Sequence, residues 1–146
     1  MAHMENEQIN ANALIDKMVK KSRAAQSSLG KSDFATRCAA LQAAAAAIRA
    51  QITAILDANV QDVARAIANG INQAFIDRLT LDEARIESMA TGLEAMIKMP
   101  DPVGAELARW QQPSGLDITR ISTPLGVIGI IYESRPNVTI DAAGLC

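Results

Sequence analysis

The chain has 146 residues, 49% of them hydrophobic and 3% aromatic. That length allows one domain, or one domain with an arm, and its core must be built from Ala, Ile, Leu, Val and Met side chains. The formal net charge is −2, so no basic surface points to a nucleic-acid partner. No apolar run reaches the length that spans a bilayer, and no signal peptide is visible, so we expect a cytoplasmic protein with no membrane partner.

Two minor features carry no predicted function. Residues 1–4, Met-Ala-His-Met, are typical of a cloning remnant, so His3 is given no functional weight. Cys38 and Cys146 lie far apart in Ala-rich helical contexts and are predicted to be free thiols. Cys38 has no His nearby in the sequence to activate it, so we assign it to packing.

Residues 5–102 are predicted to be helical. Apolar residues at helical spacing over 9–28 indicate a first amphipathic helix. Ser32 or Asp33 is the predicted cap of a second helix, whose apolar stripe runs over residues 34–55.

Capping and stop signals divide the rest of this region. They are a break at Asp57 or Asn59, a stop at Asn69-Gly70, a cap at Asn72, and a further cap at Thr80 or Asp82. The last helix of the region is predicted to bury Ile86, Met89, Ala90, Leu93 and Ile97.

Residues 103–123 predict a β-hairpin. Residues 105–111 can form one strand, Gln-Pro-Ser-Gly at 112–115 is a turn sequence, and residues 116–121 alternate apolar with polar. A lone two-stranded hairpin is marginal in water. The hairpin therefore needs a partner surface, either in its own domain or on another subunit.

The segment over residues 124–146 predicts a strand, a polar turn and the start of a helix. Val127–Ile131 is a β-branched apolar run, which is typical of a strand buried in a parallel sheet. Glu133–Asn137 forms the polar turn, and the helix is predicted from Val138 to Cys146. Open α/β sheets place their ligands at such carboxyl ends of strands.

Three residues of this turn are candidate functional residues. The Asn137 carboxamide could stabilise an oxyanion on a carbonyl under attack, or could simply cap the following helix. Arg135 suits bidentate recognition of phosphate or carboxylate, with a structural ion pair to Glu133 as the alternative. Ser134 could bind a substrate or cofactor, or the backbone of the turn.

The turn also carries a family resemblance. Residues 124–139, Pro-Leu-Gly-Val-Ile-Gly-Ile-Ile-Tyr-Glu-Ser-Arg-Pro-Asn-Val-Thr, resemble the corresponding segment of γ-glutamyl phosphate reductase, a branch of the aldehyde dehydrogenase superfamily. The similarity extends upstream through Asp77-Arg78-Leu79, Arg109-Trp110 and residues 115–120. It corresponds to an N-terminal portion of such an enzyme only.

The resemblance implies an α/β parent fold with a Rossmann-type cofactor domain, of which this chain supplies helices, a hairpin arm and one sheet strand. It implies NADPH-dependent reduction of γ-glutamyl phosphate to glutamate 5-semialdehyde in proline biosynthesis. Asn137 would be the catalytic residue present, Ser134 and Arg135 would bind substrate or cofactor, and no metal is expected. The nucleophilic cysteine would lie beyond Cys146, so the isolated chain is expected to be inactive.

Partners are implied in the same way. Homo-oligomers are expected to form through residues 103–123, and glutamate 5-kinase is the expected functional partner. Two alternative interpretations stay open: a helical interaction module that docks through its hairpin, and another acyl-reducing aldehyde dehydrogenase.

Overall fold

The computed structural model describes residues 2–146, with side chains described from residue 11 onward. The predicted cloning remnant at residues 1–4 therefore lies outside the residues whose side chains are described. Over the described residues the chain forms six helices and two strands: α1 (Ala2–Leu29), α2 (Phe34–Ala50), α3 (Ile52–Ala68), α4 (Gln73–Leu79), α5 (Glu83–Ile97), β1 (Glu106–Gln111), β2 (Asp117–Ile121) and α6 (Pro136–Leu145).

The chain divides into two compact units. The first comprises the residues up to Asp33 together with Asp101–Ile128, and the second comprises Phe34–Pro100 together with Gly129–Cys146. The first unit contains α1 and the hairpin, and the second contains α2 to α6. The candidate site residues of the 133–137 turn belong to the second unit.

The hairpin of the first unit is present as predicted. Strands β1 and β2 pair antiparallel, with Trp110 opposite Ile118 and an irregularity in register between Glu106 and Ala108. The turn closes through a hydrogen bond from the Gly115 N–H to the Gln112 carbonyl (2.9 Å). Gly115 has a φ of 87°, a left-handed conformation that favours glycine.

Helix α5 is the centre of the second unit and packs against α2 and α6. Its predicted stripe is confirmed for Ile86, Met89, Ala90 and Leu93, which are buried, whereas Ile97 is only half-buried. Ala90 meets Ala45 of α2 in the core cluster, and both are fully buried. Two small side chains at this contact let the helix axes approach closely.

An arginine of α2 also ties that helix to α5. The Arg49 guanidinium donates to both oxygens of Glu87 and both oxygens of Glu94, at distances of 2.5–3.1 Å. These hydrogen bonds hold the pKa of each glutamate below its usual value, against a smaller opposing effect of desolvation. The pair of acids therefore stays ionised beside the arginine.

The predicted caps around α4 and α5 are confirmed. The Asn72 side chain accepts from the Phe75 N–H at the start of α4, and the Asp82 side chain accepts from the Arg85 N–H at the start of α5. Both caps satisfy backbone donors that have no partner within their own helix. Gly70, with a φ of 70°, follows the end of α3 as the sequence predicts.

The predicted break at Asp57 or Asn59 is wrong. The helix breaks at Gln51, and α2 and α3 meet there at an angle of 69°. Asn59 lies within α3 with its side chain buried, where it donates from Nδ2 to the Leu79 carbonyl (2.8 Å) and accepts at Oδ1 from the Leu81 N–H (2.7 Å). The amide is used in tertiary structure, so it does not compete with the backbone of its own helix.

The predicted sheet strand at Val127–Ile131 is also wrong. Residues 122–133 form no helix or strand, and the apolar side chains of the run are exposed, with Ile131 wholly so. A strand needs a neighbour for its backbone N–H and C=O groups. Within the described chain the sheet consists of β1 and β2 alone, so this segment has no such neighbour.

No described helix is by itself both long and apolar enough to cross a membrane. Helices α2 and α3 meet the length and composition criteria only when they are taken as a bent pair.

Candidate active site

The polar turn leads directly into α6, which begins at Pro136, two residues earlier than predicted. Proline at the first helical position fixes φ and lacks an N–H that the helix would leave unpaired. It also restricts the preceding residue to extended geometry, and Arg135 has a φ of −140° and a ψ of 83°. Arg135 is thereby the N-cap residue of α6.

Asn137 is the second residue of α6, so the alternative that it caps this helix is wrong. Its Nδ2 donates to Asp141 Oδ2 over one helical turn, at 3.1 Å. The contact orients the carboxamide and occupies one of its two N–H groups. The residue is exposed, and its second N–H makes no hydrogen bond to the described residues.

Ser134 has a φ of 52°, which is the left-handed region. For a residue with a side chain this conformation costs about 1–2 kcal/mol. The hydroxyl groups of Tyr132 and Thr139 lie 2.6 Å apart across the turn and join it to α6. The turn is therefore strained at Ser134, and the contact between Tyr132 and Thr139 joins it to α6.

Close packing on α5 fixes the position of α6. A Cβ atom on Gly144 would lie 2.5 Å from Leu93 Cδ2 and 2.8 Å from Met96 Sδ, so a larger residue at this position would require the Leu93 and Met96 side chains to move. One turn before Gly144 on α6, the Asp141 carboxylate lies close to Gly92 of α5. These contacts place Asp141, and with it Asn137, beside α5.

An open cleft of about 460 Å³ lies beside Asn137 in the second unit, and we call it the α5–α6 cleft. Its lining residues are Asp77, Arg78, Leu81, Arg85, Ser88, Met89, Arg135, Asn137 and Asp141. The cleft is within the size range of small-molecule sites. Of the predicted site residues, Asn137 and Arg135 line it and Ser134 does not.

The cleft contains cationic groups that sequence reasoning did not assign. Arg78 and Arg85 come from α4 and α5, and Arg135 from the N-cap of α6. Arg135 makes no ion pair with Glu133 or with any other described residue. The resemblance at Asp77-Arg78-Leu79 was a signal for Arg78, whereas nothing in the local sequence singled out Arg85.

These groups define what the site can bind. Three guanidinium groups suit phosphate or carboxylate oxygens, including the phosphates of a nicotinamide cofactor. Within the described residues, no three His, Cys, Asp or Glu side chains lie together as a metal site would require. Cys38 and Cys146 are free thiols, and neither lines the cleft.

Two solved structures match most of the chain. A crystal structure of γ-glutamyl phosphate reductase from Thermotoga maritima gives a TM-score of 0.82 at 38% identity, over 86% of this chain and 30% of that one. The corresponding structure from Saccharomyces cerevisiae gives 0.83 at 29% identity, over 88% of this chain and 33% of that one. The fold is therefore a helix-rich fragment with an antiparallel hairpin that matches part of γ-glutamyl phosphate reductase structures.

Sequence relatives point to the same enzyme. The chain is 59% identical to γ-glutamyl phosphate reductase of Caulobacter vibrioides over 110 residues, which are 75% of this chain and 27% of that protein. It is 54% identical to the Rhizorhabdus wittichii enzyme over 136 residues, which are 93% of this chain and 32% of that protein. No protein-family model matches the chain.

The chain spans about a third of the length of the relatives it matches. Over that portion it is a homologue of γ-glutamyl phosphate reductase, which confirms the resemblance carried by the turn.

Proposed function

We propose that this chain supplies an N-terminal portion of an NADPH-dependent γ-glutamyl phosphate reductase of α/β fold with a Rossmann-type cofactor domain. In the overall reaction, γ-glutamyl phosphate, NADPH and a proton give glutamate 5-semialdehyde, phosphate and NADP⁺. The observation that carries the proposal is the open cleft beside Asn137, in a chain about half identical to such reductases.

The role proposed for Asn137 is stabilisation of negative charge on the acyl oxygen. One of its N–H groups is held by Asp141, and the other can donate to that oxygen as a nucleophile adds to the carbonyl. A donor that is already oriented needs no reorganisation as charge develops, which is the basis of oxyanion stabilisation. NADPH supplies the hydride when it is bound.

Arg135 is proposed to bind the phosphate of the same acyl group. It lies two residues from Asn137, lines the same cleft, and has no carboxylate partner among the described residues. A planar guanidinium can bind two phosphate oxygens at once. Ser134 does not line the cleft, and its left-handed backbone immediately precedes Arg135. Any role of Ser134 in binding is therefore proposed to act through the position of Arg135.

The experiment is a substrate comparison on the protein that carries this chain. Oxidation of glutamate 5-semialdehyde should require phosphate and NADP⁺, and should be much faster than oxidation of a simple aldehyde that lacks the amino-acid group. Equal rates with a simple aldehyde would favour another aldehyde dehydrogenase. Absence of turnover with every aldehyde would favour the non-catalytic interaction module.

The isolated 146-residue chain should show no turnover, since its two cysteines lie outside the cleft. A thermal-shift titration with NADPH tests whether it holds the cofactor. We propose that most cofactor contacts lie outside this chain, and strong, saturable stabilisation would contradict that proposal.

The hairpin is proposed to be a contact between copies of the protein. Its exposed apolar side chains are Leu107, Trp110, Leu116 and Ile121, and a hairpin of two strands needs such cover. Trp110→Glu should lower the oligomeric state measured by analytical ultracentrifugation, whereas Gln112→Glu in the exposed turn should leave it unchanged. Glutamate 5-kinase remains the expected source of the acyl phosphate.

A further inference from the structure

Three arginines line the α5–α6 cleft without a carboxylate partner in the part of the chain that the structure describes. Arg78, Arg85 and Arg135 make no ion pair with any described residue. Other arginines of the chain do have one: Arg49, Arg65 and Arg109. Three guanidinium groups in one cleft, none of them in an ion pair with a described residue, indicate that the cleft receives anionic groups from a ligand.

Arg85 is held in place by carbonyl groups, which leave its charge intact. Its Nη1 donates to the carbonyl oxygens of Asp77 (2.8 Å) and Thr80, at the C-terminal end of α4. Its Nε and Nη2 make no hydrogen bond to the described residues. One edge of the guanidinium is therefore anchored, and the other edge can receive two oxygens of a planar carboxylate.

Arg78 of α4 lines the same cleft. Its guanidinium carbon is 5.6 Å from the centroid of the Phe75 ring, which restrains the side chain through a cation–π contact. It makes no hydrogen bond to the described residues. Arg78 and Arg85 are thus two cations contributed to the cleft by α4 and α5, whereas Arg135 and Asn137 are contributed by the start of α6.

Acidic groups in the cleft narrow the class of ligand. Asp77 and Asp141 line it together with the three arginines. Two carboxylates would repel a polyanion such as a dinucleotide, but they suit a ligand that carries an ammonium group beside its anions. The mixture of charges fits an α-amino acid with a second anionic group better than it fits cofactor phosphates.

We propose that Arg85, assisted by Arg78, binds the α-carboxylate of the γ-glutamyl substrate, while the α6 side of the cleft receives the acyl phosphate. The inference rests on the proposed function for its choice of substrate. Asn137 and Arg135 are assigned to the acyl phosphate end of the substrate, which leaves Arg78 and Arg85 for its α-carboxylate. Arg78 and Arg85 then determine the specificity for a glutamyl group.

The first test measures binding to the 146-residue chain and needs no catalysis. L-glutamate and 4-aminobutyrate, which differ only by the α-carboxylate, are titrated by calorimetry against wild type, Arg85→Gln and Arg78→Gln. Wild type should prefer glutamate, and each variant should bind it about tenfold more weakly, the loss of one charge-assisted hydrogen bond. Affinity for 4-aminobutyrate should hardly change.

Arg65→Gln is the matched control, since this exposed arginine of α3 lies outside the cleft. It should bind glutamate as wild type does. Arg85→Gln could lose its helical circular dichroism, because Arg85 bonds backbone carbonyl groups. Arg78 makes no such bond to the described residues, so in that case Arg78→Gln decides whether the pair binds glutamate. Equal affinity of wild type for the two ligands, or glutamate binding unchanged in Arg78→Gln, overturns the proposal.

The second test uses the protein that carries this chain in the direction of semialdehyde oxidation. Arg78→Gln should raise the KM for glutamate 5-semialdehyde about tenfold and leave the KM values for phosphate and NADP⁺ unchanged. A rise in KM confined to phosphate or to NADP⁺ would assign Arg78 to that ligand and overturn the proposal. If wild type shows no turnover, the proposed function fails, and the glutamate titration still decides the binding site.

Discussion

Replacement of Asn59 by alanine should destabilise the second unit without touching the cleft directly. Asn59 is 6% exposed, and its amide joins α3 to the Leu79 carbonyl and the Leu81 N–H. Loss of two hydrogen bonds, with polar backbone groups left unsatisfied, predicts a cost of about 2–4 kcal/mol. The higher helix propensity of alanine offsets about 0.5 kcal/mol of this loss in stability.

Urea unfolding followed by circular dichroism measures this difference in the free energy of unfolding. Asn59→Asp keeps an acceptor for the Leu81 N–H but sets an oxygen against the Leu79 carbonyl, so it should also destabilise. Gln61→Ala removes an exposed amide from the same helix and should change stability by less than about 0.5 kcal/mol. If Asn59→Ala were as stable as Gln61→Ala, the amide would not hold the connection between α4 and α5.

Three further changes test the packing and electrostatics of the second unit. Gly144→Ala should cost about 1–3 kcal/mol in unfolding free energy, because its Cβ would lie 2.5 Å from Leu93 Cδ2. Arg49 holds the pKa of Glu87 low in the folded state, so the pair stabilises the fold above pH 4.5, the usual glutamate value, and this stabilisation is lost as the pH falls further. Thermal unfolding of wild type and Glu87→Gln should therefore differ most near neutral pH and converge in acid. Asn72→Ala removes the cap of α4 and should lower the unfolding free energy by about 1 kcal/mol.

Features encoded by neighbouring residues were predictable from the sequence. The caps at Asn72 and Asp82 need only a side chain and a backbone N–H three residues later. The stripe at Ile86, Met89, Ala90 and Leu93 follows from helical spacing, and the hairpin follows from a turn sequence between alternating strands. Each of these features depends on the chain within a few residues.

Features that depend on distant residues were not predictable. The helix breaks at Gln51, where the sequence has no glycine or proline. Asn59 has the residue type of a helix break, but its side chain instead bonds the Leu79 carbonyl and the Leu81 N–H, which only the structure reveals. The run Val127–Ile131 has the composition of a buried strand, but a strand requires a paired neighbour. The composition of the run does not show whether such a neighbouring strand is present.

The candidate site was partly predictable for the same reason. Arg135 and Asn137 lie two residues apart, and their residue types alone predict binding of an anion and donation of hydrogen bonds. Arg78 and Arg85 join them only because α4, α5 and α6 pack together around one cleft.

We propose that Asn137 stabilises the negative charge that develops on the acyl oxygen. The most direct test of this proposal is the kcat of Asn137→Ala for glutamate 5-semialdehyde oxidation in the protein that carries this chain. Loss of one oxyanion donor should lower kcat about 100- to 1,000-fold while the KM changes little. A variant with the kcat of wild type would contradict this account.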